Sequence, residues 1–451
     1  MSVRELVHKN ADRYVGWLTE ACSIPSLADR PDDLAAMAAW VEAKLQALGA
    51  TTERLTYESA PETILAVLGN GPRSVLIYDH YDVQPVDPIE LWRSKPFEPV
   101  VRDGIFFARG AADNKGDLVA RLAALEIHRE MYGDPEATVR FLIEGEEETG
   151  SKSFEAMVTR YSEKLAADGC IWEGTGIDHV GRPELVFGAK GMAYVELVCR
   201  ILNEDQHSSL AVVAPSPVWR LIEALTTLRA PDGTVTIDGF YDDVRAPTDE
   251  DERLLETIPF EEEKERERLG IDEFVGGVTG IDAVRKFYFE PTCNIAGFVS
   301  GFTVPGASKT VLPKEALAKL DLRLVPDQDP ADIVAKLRKH LDARGFTDVE
   351  LNSNFSMEHP TRSPSDSLIG RAAIDACGEV FDQPPKVSPM MIGTGPMYPI
   401  ANRLGIPTVS PAGVARPDSN LHAPNENCRV DDFLAIVEYT VAWLRAFPEV
   451  G

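Results

Sequence analysis

At 451 residues, with 44% hydrophobic and 26% charged side chains, the chain has the composition of a soluble globular protein and the length for two domains. Its formal net charge of −28, from 73 acidic against 45 basic residues, argues against nucleic acid and anionic membrane as partners, because both reward cationic patches. The opening Met1-Ser-Val-Arg-Glu-Leu6 has no apolar signal core, and no run approaches ~18 apolar residues. Six scattered cysteines form no CxxC pair, so zinc fingers and disulfide scaffolds are disfavoured and a reducing cytoplasm is the expected location.

In chain order, residues 3–49 carry apolar side chains at helical spacing, with Val15, Leu18 and Cys22 followed by Leu34, Met37, Val41, Leu45 and Leu48. Strands are predicted at 64–69 and 74–79, the second running into His80-Tyr-Asp82. A glycine-containing loop, Ala108–Asp117, carries Asp113 and leads into a helix marked by Leu118, Leu122 and Leu125. A strand at 138–143 then delivers Glu144-Gly-Glu-Glu-Glu-Thr-Gly-Ser151 to its end. Four carboxylates within five residues repel one another and need a counter-charge, for which a divalent metal is the commonest answer. A helix near 153–165 and a strand near 168–172 complete the alternation. The pattern predicts an α/β fold with a mixed, largely parallel sheet flanked by helices and a site beyond the carboxyl ends of its strands.

From about residue 193 the pattern changes. Tyr194–Ile201 and Ala316–Leu324 alternate polar with apolar, as half-exposed strands do, and Val218–Leu228 and Ile333–Leu341 read as helices. These suit an α+β domain of two helices over a small antiparallel sheet, with the acidic 230–290 stretch as irregular insertions and Asp249–Arg268 as an exposed helix face or loop. Helix–strand alternation returns at Ser367–Val380, Thr408–Ser410 and Val430–Phe447. The expected domains are therefore 1–193 and 365–451 as one catalytic, metal-binding domain, interrupted by 194–364.

Among eight histidines His80 is distinctive, because Asp82 lies two residues on and faces the same side of a strand. A carboxylate that accepts the far ring N–H fixes the tautomer and aim of a ligating histidine. Three separate strand or loop ends offering His, Asp and Glu look like a metal site assembled from distant segments.

The set His80-Tyr-Asp-Val-Gln-Pro85, Arg109-Gly-Ala-Ala-Asp-Asn-Lys-Gly116, Glu144–Ser151 and His422 resembles the M20 metallopeptidases over nearly the whole chain, and within them the branch that includes cytosolic nonspecific dipeptidase and carnosinase. Gly306–Pro313 followed by Leu322-Arg-Leu-Val-Pro326 is similar to that branch's lid segment. The resemblance implies a zinc-peptidase-like catalytic domain with an inserted lid and dimerisation domain. It also implies a dinuclear site in which Asp113 bridges two divalent ions, His80 and Glu173 complete one shell, and Glu148 and His422 the other. Glu147 would be the general base, with Asp82 orienting His80. Ligands of N and O type without thiolate admit Zn²⁺, the first expectation, and also Mn²⁺ or Co²⁺. Asn114 stands where a second Asp is commoner, and the bond between Asp113 and its neighbour is often cis in this family.

In the inserted domain Asp205-Gln-His-Ser-Ser209 resembles the motif whose histidine, here His207, reaches the site of a partner protomer and polarises the substrate carbonyl. Arg323 and Thr310 are similar to residues that hold the free carboxylate of a dipeptide, His359 is a further substrate-side candidate, and Thr394 stands in for the family's usual glycine-rich turn. The implied function is hydrolysis of an amide bond in a dipeptide or similar small amide by a homodimer. The alternatives are an N-acyl-amino-acid deacylase or another small-amide hydrolase, and, further off, a metal-binding relative without catalysis.

Overall fold

The computed structural model describes residues 1–449. The chain forms two compact units, one of Met1–Gly188, Arg362–Pro389 and Pro396–Gly451, the other of Ala189–Thr361 with Met390–Gly395.

The first unit is built on a six-stranded sheet in the order Thr51–Leu55, Thr63–Leu68, Thr138–Glu144, Ser74–His80, Gly169–Ile171, Thr408–Val409. The first three strands pair antiparallel and the remaining neighbours pair parallel, so the sheet is mixed and largely parallel, in line with the sequence pattern. Ser74–His80 and Thr138–Glu144 are buried almost end to end, as strands covered on both faces are. They run in register, with His80 opposite Glu144, so both deliver their next residues to the same edge. The helix Lys115–Tyr132 is buried along most of its length, and Val430–Glu449 packs against it. The helix expected near 153–165 is two, Phe154–Arg160 and Ser162–Leu165, parted at Tyr161.

The second unit has an antiparallel sheet in the order Asn294–Ser300, Glu315–Leu324, Gly191–Arg200, Val349–Asn352. Glu315–Leu324 alternates strictly between buried and more exposed positions, and its buried face joins Leu197, Leu221, Ile333 and Leu337 in one core. Leu221 comes from the helix Pro217–Thr226, while Ile333 and Leu337 come from Pro330–Ala343. Residues 230–290 are less irregular than expected: the helices Asp249–Thr257 and Glu262–Leu269 fall where an exposed helix face or loop was expected, and Gly280–Phe289 adds a third that was not. Thr248 opens the first with a reciprocal cap to Asp251, and Leu255, Val284 and Phe289 bury with Met390 in a small core of their own. The acidic residues hid this, because sparse apolar positions between charges carry little periodic signal.

Candidate metal centre

The candidate ligands sit at or just beyond strand ends and in loops. His80 closes its strand, Glu148 lies in the single turn Glu147–Thr149 that follows the neighbouring strand, and Glu173 follows Gly169–Ile171. Gly145 makes the turn after that neighbouring strand possible, since a Cβ there would meet the Tyr81 ring at 2.3 Å. Asp113 comes from the loop before the helix Lys115–Tyr132, and its bond to Asn114 is cis. His422 arrives from a late loop with a left-handed φ of 58°.

Asp113 stands at the centre. Its Oδ1 lies 3.1 Å from His80 Nε2 and its Oδ2 lies 2.9 Å from His422 Nε2. His80 Nε2 is also 3.3 Å from Glu173 Oε2, and His422 Nε2 is 3.3 Å from Glu148 Oε2. Two sets result, His80–Asp113–Glu173 and Asp113–Glu148–His422, each with its ligand atoms within 4.8 Å of one another and sharing Asp113. Imidazole nitrogen and carboxylate oxygen suit a borderline divalent cation. Glu148 Oε1 is buried without a hydrogen-bond partner, a cost that a cation would remove. The residues present therefore fit a pair of cations bridged by one carboxylate.

The electrostatics point the same way. Burial, with repulsion from Glu173, Glu148 and Asp113, pushes Glu147 up to about 9. Burial and the Asp113 charge push Glu148 up to about 7. Burial opposes charge on Asp113 too, but hydrogen bonds from His422 and His80 hold it well below the usual carboxylate range. His80 loses from burial yet is raised overall by its bonds to Asp113, Asp82 and Glu173. Protons do here what cations do better, which is to separate crowded carboxylates.

Asp82 has a wider reach than its place in the sequence suggests. Its Oδ1 is 3.4 Å from His80 Nδ1, and it also accepts the backbone N–H of Glu147 at 3.3 Å, while Oδ2 accepts that of Glu148 at 3.0 Å. One buried carboxylate thus orients a histidine and holds the turn that carries both glutamates. Other supports have no counterpart in the sequence reading. Asn114 Nδ2 and Trp172 Nε1 donate to the two oxygens of Glu173 at 3.1 and 2.9 Å, and Gln84 Nε2 donates to Glu148 Oε2 at 2.8 Å. Arg121 ties two strand ends together by donating to the carbonyls of Tyr78 and Trp172 and to Asp79.

The largest omission is Glu426. Fully buried, it accepts N–H bonds from Gly110 at 2.8 Å, Ala112 at 2.9 Å and Asp113 at 3.0 Å, and pairs with the Arg109 guanidinium at 2.6 Å. It fixes the whole loop that presents Asp113. Its only trace in the sequence is proximity to His422, since an acid in a polar loop has no periodicity to betray it.

The remaining candidates lie in the second unit. His207 Nε2 is 3.1 Å from Thr310 Oγ1, and both residues are exposed. Arg323 Nη1 donates to Thr394 Oγ1 at 2.6 Å, and its Nε is 3.2 Å from Asp321. His359 Nδ1 lies 3.9 Å from Asp329.

The model of Peptidase family M20/M25/M40 matches residues 76–446. Among relatives, Beta-Ala-His dipeptidase of Rattus norvegicus is 28% identical, over 88% of this chain and 84% of its own. Cys-Gly metallodipeptidase dug1 of Schizosaccharomyces pombe is 30% identical, over 75% of this chain and 74% of its own. Among solved structures, the M20 family metallo-carboxypeptidase Sso-CP2 from Sulfolobus solfataricus superposes with a TM-score of 0.86 at 36% identity, over 97% of this chain and 99% of the other. Human carnosine dipeptidase 1 shares the fold at a TM-score of 0.77 and 24% identity, over 99% and 98% of the two chains. The chain belongs to Peptidase family M20/M25/M40. It is a metal-dependent peptidase, an enzyme whose chemistry calls for divalent cations. No helix among the described residues is long and apolar enough to cross a membrane.

Proposed function

We propose that the protein is a dinuclear dipeptidase, hydrolysing the amide bond of dipeptides or similar small amides that carry a free carboxylate. The observation that carries this reading is Asp113, whose two oxygens each face a histidine of a different ligand set. His80, Glu173, Glu148 and His422 would complete the two shells, with Zn²⁺ the ion their chemistry suits first and Mn²⁺ or Co²⁺ admissible. When bound, such ions polarise the scissile carbonyl and make water acidic enough to attack at neutral pH. Glu147 takes the proton of the attacking water and returns it to the leaving amine. His207 donates to the oxygen of the tetrahedral intermediate. Arg323 offers a planar guanidinium to the substrate carboxylate, with Thr394, Thr310 and His359 as further polar contacts. Steady-state rates on a dipeptide panel and an N-acetyl amino-acid panel test the assignment. Turnover of the second panel alone would make the enzyme a deacylase instead.

We also propose a homodimer in which the second unit is the lid and dimerisation domain. In its favour, the edge strand Asn294–Ser300 leaves Ile295, Phe298 and Val299 exposed, and Val212, Val213 and Trp219 are exposed as well. If His207 serves the partner's site, mixing inactive His207→Ala and Glu147→Gln proteins is expected to restore activity, because a heterodimer has one site with both residues intact. Mass-tagged subunits check that exchange has occurred. Exchange without recovered activity would confine His207 to its own subunit or remove it from catalysis. A cytoplasmic location is proposed from the six cysteines, all free thiols.

Glu426→Gln tests how far the Asp113 loop depends on its clamp. Glutamine keeps one acceptor oxygen and loses the charge paired with Arg109, leaving a buried guanidinium unmatched. Metal affinity is expected to fall by roughly 10–100-fold, as for other groups that orient ligands. Competition with a chromophoric chelator measures it, and wild-type affinity would reduce Glu426 to a fold-stabilising role.

A further inference from the structure

The strands Ser74–His80 and Gly169–Ile171 lie parallel, and their registered pairs end with Ile77 opposite Ile171. The next residue on each is a buried aromatic, Tyr78 and Trp172, and just beyond these come the candidate ligands His80 and Glu173. Where the ladder stops, two other ties begin. The buried Arg121, on the helix Lys115–Tyr132, donates Nη1 to the Tyr78 carbonyl at 2.8 Å and Nη2 to the Trp172 carbonyl at 2.5 Å, with Asp79 at 2.7 Å as its counter-charge. The Tyr78 and Trp172 rings stack with centroids 3.6 Å apart and planes 10° from parallel, and Phe154 meets both edge-on. The indole of Trp172 then reaches forward, its Nε1–H donating to Glu173 Oε1 at 2.9 Å. That leaves Oε2, which also accepts from Asn114 Nδ2 at 3.1 Å, as the oxygen that faces His80 Nε2 at 3.3 Å. The other ligand set has different supports: Gln84 donates to Glu148 Oε2, and Asp82 accepts the Glu148 N–H.

We infer that Trp172 and Arg121 are positioning residues for one cation of the pair: they set the spacing of His80 from Glu173 and offer one oxygen of Glu173, while the Glu148–His422 side is indifferent to them. The inference rests on the proposed dinuclear site and adds to it two residues and a division between its halves. A planar guanidinium with donors in a fixed fork meets two carbonyls and a carboxylate at once, whereas a lysine ammonium on its flexible stem imposes no such plane. Holding both carbonyls fixes the chain two residues before His80 and one residue before Glu173. The stacked rings resist shear between the same two strands. An indole N–H on one oxygen of Glu173 stops that carboxylate from turning, so its ordering is complete before a cation arrives.

The experiment is calorimetric titration of chelator-stripped protein with Zn²⁺, with a competing chelator present where binding is tight. The wild type is expected to take up two cations. His422→Ala removes a ligand from one set and Glu173→Ala from the other, so each background isolates the remaining half of the site. In His422→Ala, adding Trp172→Phe is expected to weaken Zn²⁺ binding by roughly 10–100-fold, because a ring stays in the stack but the indole N–H is gone. In Glu173→Ala, the same change is expected to alter affinity by less than about twofold, since its partner is already absent. Arg121→Lys keeps a positive charge beside Asp79 and is expected to show the same selectivity. Circular dichroism verifies the fold, and Trp172→Phe alone decides if Arg121→Lys does not fold. Equal losses in the two backgrounds, no loss in His422→Ala, or failure of His422→Ala to bind any cation would overturn the inference while leaving the two-cation reading in place. A wild type that takes up fewer than two cations at saturation would overturn that reading, and this inference with it.

Discussion

Glu147→Gln is expected to retain both cations and the native fold while losing roughly 10²–10⁴-fold in turnover, the contribution of a positioned general base. Glutamine preserves the shape of the side chain, and the backbone N–H of residue 147 would still reach Asp82. What disappears is the capacity to take a proton. The base is well placed for that task because Glu173, Glu148 and Asp113 crowd it, raising its proton affinity, while the cations it would face lower it again. Metal content and kcat measured on one preparation decide the matter. A rate near that of the wild type would remove Glu147 from the mechanism.

Asp113→Ala is expected to have the larger effect, because it takes a ligand from both sets at once. His80 and His422 would then face each other across the site without the carboxylate whose two oxygens separate them at 3.1 and 2.9 Å. Without the shared anion nothing screens one cation from the other, so both are expected to leave and turnover to become undetectable. Metal analysis after dialysis gives the answer. Two cations kept at wild-type affinity would contradict the bridging role, and loss of a single one would assign Asp113 to one shell alone.

The strand ends were the legible part of this chain. Val75–Tyr78 and Val139–Ile143 announce buried strands because covered strands are apolar almost throughout, with Arg140 the one exception here, and the polar residues that follow them are conspicuous by contrast. The alternation in Glu315–Leu324 was equally plain, since one face of that sheet is covered and the other is not. Glu426 and Arg109 were not legible, because a buried ion pair between residues 317 apart leaves no local pattern. Asp82 was half legible: its spacing from His80 gives one contact, but the N–H groups of Glu147 and Glu148 come from another strand's turn. Within 230–290 a helix face could be read at Asp249–Arg268, but the charge there conceals the few residues that the helices bury. Local periodicity reports which face of an element is covered; it says nothing about which distant loop returns to meet it.

That return has a consequence for the order in which the protein becomes competent during synthesis. His80, Asp113, Glu148 and Glu173 all belong to the first part of the chain, whereas His422 pairs with Asp113 from 309 residues downstream, and Glu426 grips the same loop from 313 residues beyond Asp113. A ribosome translating at about 5–20 residues per second therefore exposes four candidate ligands well before the last one emerges. During that interval the loop bearing Asp113 lacks its clamp, and one candidate ligand set lacks His422. Hydrolytic capacity is thus withheld from the nascent polypeptide until translation is nearly complete, and a prematurely terminated chain ending before His422 would carry most of the fold's first sheet but no finished site.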